Sequence, residues 1–241
     1  MNKYSKFDNT SYILGISLIV EALLLIPEQI NKVYLSSKAN SNKELDKLLN
    51  LCKTNNIPIE ENDLLIQKLS IKENCYGIGI FNKYHKQLST NKHLVLYGFN
   101  DEGELGTVLR SATSFDFEDV VLINSSIDIF DPKVIRASMG SFFHLNIKEY
   151  TSFNEYLKDY QYTLYPFASY SKHELSSLTF KEPFSIIIPQ KLSDLNNMFE
   201  NTYYVSHITN NDISLGSLSS IILNYVYHQT LSDKNISYKA H

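Results

Sequence analysis

Along the first eighty residues the apolar positions switch period repeatedly. SLIVEALLL (17–25) is apolar almost without interruption and predicts a buried helix; the longer run 12–27 reads as that helix with the start of a strand. KVYLSS (32–37) predicts a strand. In SNKELDKLLNLCKTNN (41–56), Leu45, Leu48, Leu49 and Cys52 recur at helical spacing behind a Ser/Asn start, the pattern of an amphipathic helix. IPIEEN predicts a short strand, DLLIQKLS (63–70) a short helix and YGIGIF (76–81) a glycine-punctuated strand, which together make a small α/β sandwich. KYHKQLSTNKH (83–93) is polar and aperiodic, as a linker is. Beyond it strands are expected at 93–99, 119–124, near 142–147, and at 162–168, 184–189 and 202–207. Helices are expected at 104–115, 132–138, 152–160 and 217–231. That alternation predicts a mostly parallel sheet covered on both faces. The reading is two α/β domains, residues 1–88 and 92–241. The last helix is apolar nearly all round, so it is expected in a core or against a partner subunit.

Charge narrows the partners. The 241 residues carry a net −4, unevenly spread: residues 1–90 hold 11 Lys against 9 acids, and residues 91–241 hold 9 Lys and 2 Arg against 17 acids. A strong nucleic-acid binder shows a clear basic excess, so any such contact here has to rest on a local patch. Lys32, Lys38, Lys43, Lys47 and Lys53 in the first half are the candidates. Cys52 and Cys75 form no C-x-x-C pair, which points to ordinary thiols in a reducing cytoplasm and to no metal site. The 12–27 run is 16 residues long and contains Glu21, short of the roughly 20 apolar residues a membrane span needs.

Only two arginines occur among 22 basic residues, and both sit in glycine-bearing stretches: DEGELGTVLRSA (101–112) and DPKVIRASMG (131–140). The first follows a predicted strand and opens a predicted helix. Ligands of open α/β sheets lie beyond the carboxyl ends of strands, and a helix start offers free N–H groups to an anion. Arginine's planar fork grips a phosphate through two parallel hydrogen bonds, which lysine does not reproduce. Arg110 is therefore a candidate phosphate ligand, with a surface arginine the plain alternative. In the second stretch small residues permit close backbone approach, and Gly140 suits a helix end.

Together the two stretches resemble the SpoU (TrmH-like) family of RNA ribose methyltransferases, part of the SPOUT class. That family carries D-P-x-N-x-G-x-x-x-R-[ST]-A followed by N-P-K-x-x-R-A-[ST]-x-G. The opening YILGISLIVEALLL…INKVYLSS and the tail ISLGSLSSIILNYVYHQ resemble the family's RNA-recruiting domain and its last motif. The resemblance implies an α/β domain closed by a trefoil knot, a homodimer, RNA (rRNA or tRNA) as partner, and methyl transfer from S-adenosylmethionine to a ribose 2′-hydroxyl. It assigns catalysis to Arg110, Ser214 and the position of Glu104. Cofactor contacts fall on Ile188, Pro189, Lys191, Leu195, Ser214, Leu215 and Gly216. RNA contacts fall on Arg110, Arg136 and the first domain's lysines; Arg136 can instead hold the knot or dimer through carboxylates.

Several of those positions depart from the family pattern. Its asparagine is Glu104; its G-x-E-x-x-G glycines are Pro189 and Asp194 and its glutamate Lys191; its last asparagine is Gly216. Residues 141–215 contain no glycine. Glu104 can offset the new cation by pairing with Lys191 or with the sulfonium. The expectation is an RNA-binding family member with weak or lost transfer activity. The alternatives are a fully active diverged enzyme and a non-catalytic dimeric interaction protein.

Overall fold

The computed structural model describes residues 3–70, 74–168, 171–195, 198–206 and 213–233, in the last segment with side chains to 230. In chain order the elements are β1 (Thr10–Leu14), α1 (Ile16–Leu25), β2 (Ile30–Leu35), α2 (Lys43–Thr54), β3 (Ile59–Glu61), α3 (Asp63–Leu69), β4 (Gly77–Asn82), β5 (Lys92–Tyr97), α4 (Glu102–Ser114), β6 (Asp119–Ile123), α5 (Pro132–Ala137), α6 (Ser141–His144), β7 (Asn146–Tyr150), α7 (Phe153–Asp159), β8 (Thr163–Pro166), β9 (His173–Glu174), β10 (Phe184–Pro189), β11 (Tyr203–Tyr204) and α8 (Leu215–Asp233). The chain divides into two compact units, Met1–Tyr84 with Asp128–His144, and His85–Ile127 with Leu145–His241. In sequence, 128–144 lies within the second expected domain; in space its contacts are with the first eighty-four residues.

The first unit is a four-stranded sheet in the order β1-β4-β2-β3, antiparallel except for the β2/β3 pair. Asn42 and Asn62 cap α2 and α3 by accepting first-turn N–H groups. The inserted segment is held by several contacts. Ser11 Oγ donates to the Phe130 carbonyl at 2.6 Å, Tyr4 donates its hydroxyl to Asp128, and Phe81, Phe130, Phe142 and Phe143 form edge-on and tilted ring pairs. Burying the two phenylalanines at 142 and 143 side by side needs a helical turn, since a strand would send them to opposite faces. That is why the strand expected near 142–147 appears as α6 followed by β7 from residue 146. Gly140 takes φ +95, and a Cβ there would lie 3.1 Å from Glu21 Cγ, so this turn requires glycine.

The second unit is built on a five-stranded, wholly parallel sheet ordered β7-β6-β5-β10-β8. Its central strands are buried on both faces, and their sequences read as continuous apolar runs for that reason. At the amino ends of the strands a polar network is sealed in the core. Asp119 accepts from the backbone N–H groups of Ser89 (2.7 Å) and Thr90 (2.6 Å) and from Asn146 Nδ2 (2.7 Å). His93 Nδ1 bonds the Tyr156 hydroxyl (2.8 Å), which bonds Ser185 Oγ (2.6 Å). Burial holds the His93 pKa below its ordinary 6.5, against the opposing pull of Asp119. From β5 the chain moves through β6 to β7 on one side, then crosses to β8 and returns to β10 on the other. The order therefore reverses between β5 and β10, which is where a parallel sheet opens a crevice at its carboxyl ends.

Candidate functional site

At that reversal a cleft of about 420 Å³ opens, lined by Tyr97 at the end of β5 and Gly98 and Asn100 after it, by Asn124 after β6, and by Gln190, Lys191 and Asp194 after β10. Gly98 (φ +70) and Asn124 (φ 52) both adopt the left-handed conformation directly after their strands. Each first completes the sheet ladder, Gly98 N–H to Ile123 O (2.9 Å) and Asn124 N–H to Tyr150 O (3.1 Å). Each then turns the chain sharply away. Asparagine is among the few residues with a side chain that tolerate this conformation, which suits position 124. Tyr97 stacks on Phe153 at 5.2 Å between centroids and forms one wall.

The start of α4 is not a free anion site. Asp101 Oδ1 accepts the Glu104 N–H at 2.8 Å, and Glu102 and Glu104 add two more carboxylates to the first turn. Aspartate is a strong N-cap that takes one of the first-turn donors a phosphate would use, and the carboxylates around this helix start make it unfavourable to an anion. Glu104 does not pair with Lys191, one of the partners that the sequence offered. Its Oε2 accepts from Gln190 Nε2 at 2.5 Å, while Gln190 Oε1 accepts from the Asn100 N–H at 3.3 Å. Lys191 lies exposed at the cleft with no ion pair among the described residues. Where the family pattern has an amide at 104 and a carboxylate at 191, this chain has a carboxylate at 104 hydrogen-bonded to an amide at 190. Nothing but the adjacency of Gln190 to Pro189 marked that residue in the sequence.

Arg110 sits two turns further along α4, exposed, and its guanidinium has no hydrogen bond or ion pair among the described residues. Arg136 occupies the last turn of α5, half-buried, in the other unit. There a cation suits the helix dipole. Within the chain it makes no ion pair with a carboxylate among the described residues. Of the first unit's lysines, Lys32 is engaged by Glu60 at 2.5 Å, whereas Lys38, Lys43, Lys47 and Lys53 are exposed.

The remaining expected positions divide between core and helix start. Ile188 and Leu195 are wholly buried, Leu195 among Val95, Tyr156 and Ile187, so only their backbone faces a ligand. Pro189 ends β10 opposite Tyr97 and supplies no N–H. None of the described residues between 184 and 206 has a left-handed backbone; the chain turns instead through a short 3₁₀ segment at Leu192–Leu195, with Asp194 N–H on Lys191 O at 2.9 Å. Ser214 Oγ accepts the Ser217 N–H at 3.3 Å and donates to Ser217 Oγ at 2.9 Å. Leu215 is buried, and Gly216 lies so close to α4 that a Cβ would stand 2.5 Å from Thr107 Cγ2. Ser111 and Ser220 bond across the same interface at 2.7 Å. The apolar run of α8 is therefore consumed within the chain. Ile222, Leu223 and Val226 are fully buried, Tyr225 bonds Ser176 O, and only Ile221 of that run is exposed. Among the described residues no group of side chains has the make-up of a metal site, and no helix is long and apolar enough to cross a membrane.

Residues 91–189 match the model of the SpoU rRNA Methylase family. The chain is 41% identical over 54 residues to human "rRNA methyltransferase 3, mitochondrial", a stretch covering 22% of this chain and 13% of that protein. It is 34% identical over 62 residues to the Bacillus subtilis "23S rRNA (guanosine(2553)-2'-O)-methyltransferase RlmP", covering 26% and 25%. The chain thus aligns with about a quarter or less of these relatives' lengths. Its fold is that of the SpoU methyltransferase AviRb from Streptomyces viridochromogenes, with a TM-score of 0.78 and 16% identity over 93% of this chain and 91% of that one. AviRb has also been solved in complex with AdoMet. An RNA 2′-O ribose methyltransferase matches with a TM-score of 0.75 and 19% identity over 92% and 90%.

Proposed function

We propose that this chain, with the SpoU signature across residues 91–189, is an RNA 2′-O-ribose methyltransferase that uses S-adenosylmethionine. One observation carries the reading. The matched segment begins at the residue before β5 and ends on the last residue of β10, the two strands that flank the cleft at the sheet's reversal. The donor set there suits a cationic methyl donor. Asp194 lines the cleft and Glu104 is hydrogen-bonded to its lining residue Gln190, both without a cationic partner among the described residues, and Lys191 is the opposing charge among the residues that line it.

When bound, S-adenosylmethionine supplies a methyl made electrophilic by its sulfonium. Ser214, Leu215, Gly216 and Lys191 would hold it by side chain and backbone, and Ile188, Pro189 and Leu195 by backbone alone. The chain's own task is alignment and charge control at the ribose. The free guanidinium of Arg110 orients the neighbouring phosphate through paired hydrogen bonds and stabilises negative charge developing on the 2′-oxygen. An arginine side chain is poorly suited to act as a base, so the role assigned to it is orientation and charge stabilisation. Residues 1–88 recruit the RNA through Lys38, Lys43 and Lys47, and 92–241 carry the transfer. The trefoil knot and the homodimer rest on the resemblance, and a cytoplasmic location on the two unpaired cysteines.

A second reading, RNA binding without transfer, is favoured by Pro189 and by the absence of a left-handed residue in the described turn after β10. Calorimetric titration with S-adenosylmethionine, paired with ribose-specific detection of methylated rRNA or tRNA, separates the two. Weak donor binding, about 6 kcal/mol or less, together with transfer is the expected result. Salt-dependent RNA retention with neither donor heat nor transfer would establish the second.

A further inference from the structure

We propose that Glu104 accepts the proton of the attacking 2′-hydroxyl and that Gln190 is the residue that positions it; this rests on the methyl-transfer reading above. The orientation of Gln190 is dictated by its other bond. The Asn100 backbone N–H can only donate, so Gln190 Oε1 must face it at 3.3 Å, and the NH₂ group is thereby turned to Glu104 Oε2 at 2.5 Å. Gln190 is itself anchored by its backbone N–H on Tyr97 O at 2.8 Å. The carboxylate is thus fixed by a neutral donor, which orients it without quenching its negative charge as a lysine or arginine would. Its Oε1 has no hydrogen-bond partner among the described residues, and the side chain is half-exposed. Asp101 and Glu102 are the charged residues on the same turn, and Lys191 and Asp194 line the cleft with Gln190. Asp101 Oδ1 is engaged as the helix cap, and Asp194 has no side-chain donor orienting it among the described residues.

The step balances as follows. The hydroxyl O–H bond breaks and its proton passes to Glu104 Oε1. The oxygen's electron pair forms the new O–CH₃ bond. The S–CH₃ bond breaks with its pair left on sulfur, giving a neutral thioether, and Glu104 later returns the proton to water. A carboxylate is a weak base for an alcohol, so proton transfer runs together with attack rather than before it.

Single-turnover transfer by the full chain from pH 5 to 9, with donor and RNA affinities by calorimetry and thermal melting, tests this on E104Q, Q190A and the exchange E104Q/Q190E. E104Q is expected to melt and bind as the parent does while transfer falls about 10²–10⁴-fold. Q190A is expected to transfer more slowly with little change in donor affinity. The exchange rebuilds an amide–carboxylate hydrogen bond with the carboxylate moved across. It should match the parent's melting temperature and leave transfer lost. Recovery of transfer by the exchange would show the pair to be a structural clamp and overturn the proposal, as would an E104Q that transfers at the parental rate or loses rate only through weaker binding. A parent chain that transfers nothing overturns the function and this inference together; a parent that transfers alongside a normal E104Q overturns this inference alone.

Discussion

Replacing Gly216 by alanine tests how α4 and α8 meet. The added Cβ would stand 2.5 Å from Thr107 Cγ2 and 3.3 Å from Thr107 Cβ, where ordinary carbon contacts need about 3.5–4 Å. Thr107 is not free to turn aside, since it is β-branched and its hydroxyl donates to Gly103 O at 3.0 Å. Two escapes exist. Rotating Thr107 gives up that hydrogen bond, a loss of about 0.5–1.5 kcal/mol. Pushing α8 off α4 costs about 1–3 kcal/mol as overpacking, and strains the Ser111–Ser220 bond one turn along. Against either stands the helix-propensity gain of alanine over glycine, at most about 1 kcal/mol and less in the first turn of α8. The cheaper escape decides, so G216A should be destabilised by about 0.5–1 kcal/mol, a fall of about 1–4 °C in Tm for a chain of this size. In the T107A background the obstructing methyl is gone and the same change should stabilise. A double-mutant cycle by urea unfolding should therefore give a coupling of about 1 kcal/mol or more. If G216A behaves alike in both backgrounds, the close approach of the two helices is wrong. The same reasoning applies to G216N, which installs the residue the family pattern carries: alone it should destabilise, and only with T107A does it become a fair test of donor binding.

Arg110→Lys should leave stability within about 0.5 kcal/mol, because the guanidinium is exposed and unpaired, yet weaken RNA retention and lower its salt dependence if changed to Ala by about one unit of slope; unchanged filter binding for both variants refutes the phosphate role. Gly140→Ala places a side chain at φ +95 against Glu21 and should cost about 1–3 kcal/mol in urea unfolding, and a neutral result would mean the turn is not as described. His93 has a folded pKa depressed by burial, so the unfolded chain binds the extra proton first. Its contribution is fully present above the ordinary pKa of 6.5 and is lost as pH falls from there toward the folded value. Stability measured from pH 8 to 5 should accordingly drop more steeply in the parent than in His93→Gln; equal slopes would show that His93 is not the buried neutral base.

The chain's local chemistry determined much of this molecule. The switch from helical to strand period located most elements, and the capping residues Asn42, Asn62, Asp101, Asp131 and Ser152 each accept a first-turn N–H as short polar side chains at helix starts do. The stretch around Arg110 could be placed after a strand and on a helix because strand, turn and helix signals there are consecutive. What periodicity reports is which face of an element is buried, never against what. Thus α8 was legible as a buried helix, while its burial on α4 through Gly216, Thr107 and the serine pair was not. Phe142 and Phe143 read as strand residues until the rings of Phe81 and Phe130 set the geometry they had to meet. The insertion of β10 between β5 and β8, which creates the cleft, and the bond from Gln190 to Glu104 across 86 residues of sequence, come from long-range sheet pairing. Such contacts depend on the sum of burial over the whole sheet, and no local pattern encodes that sum.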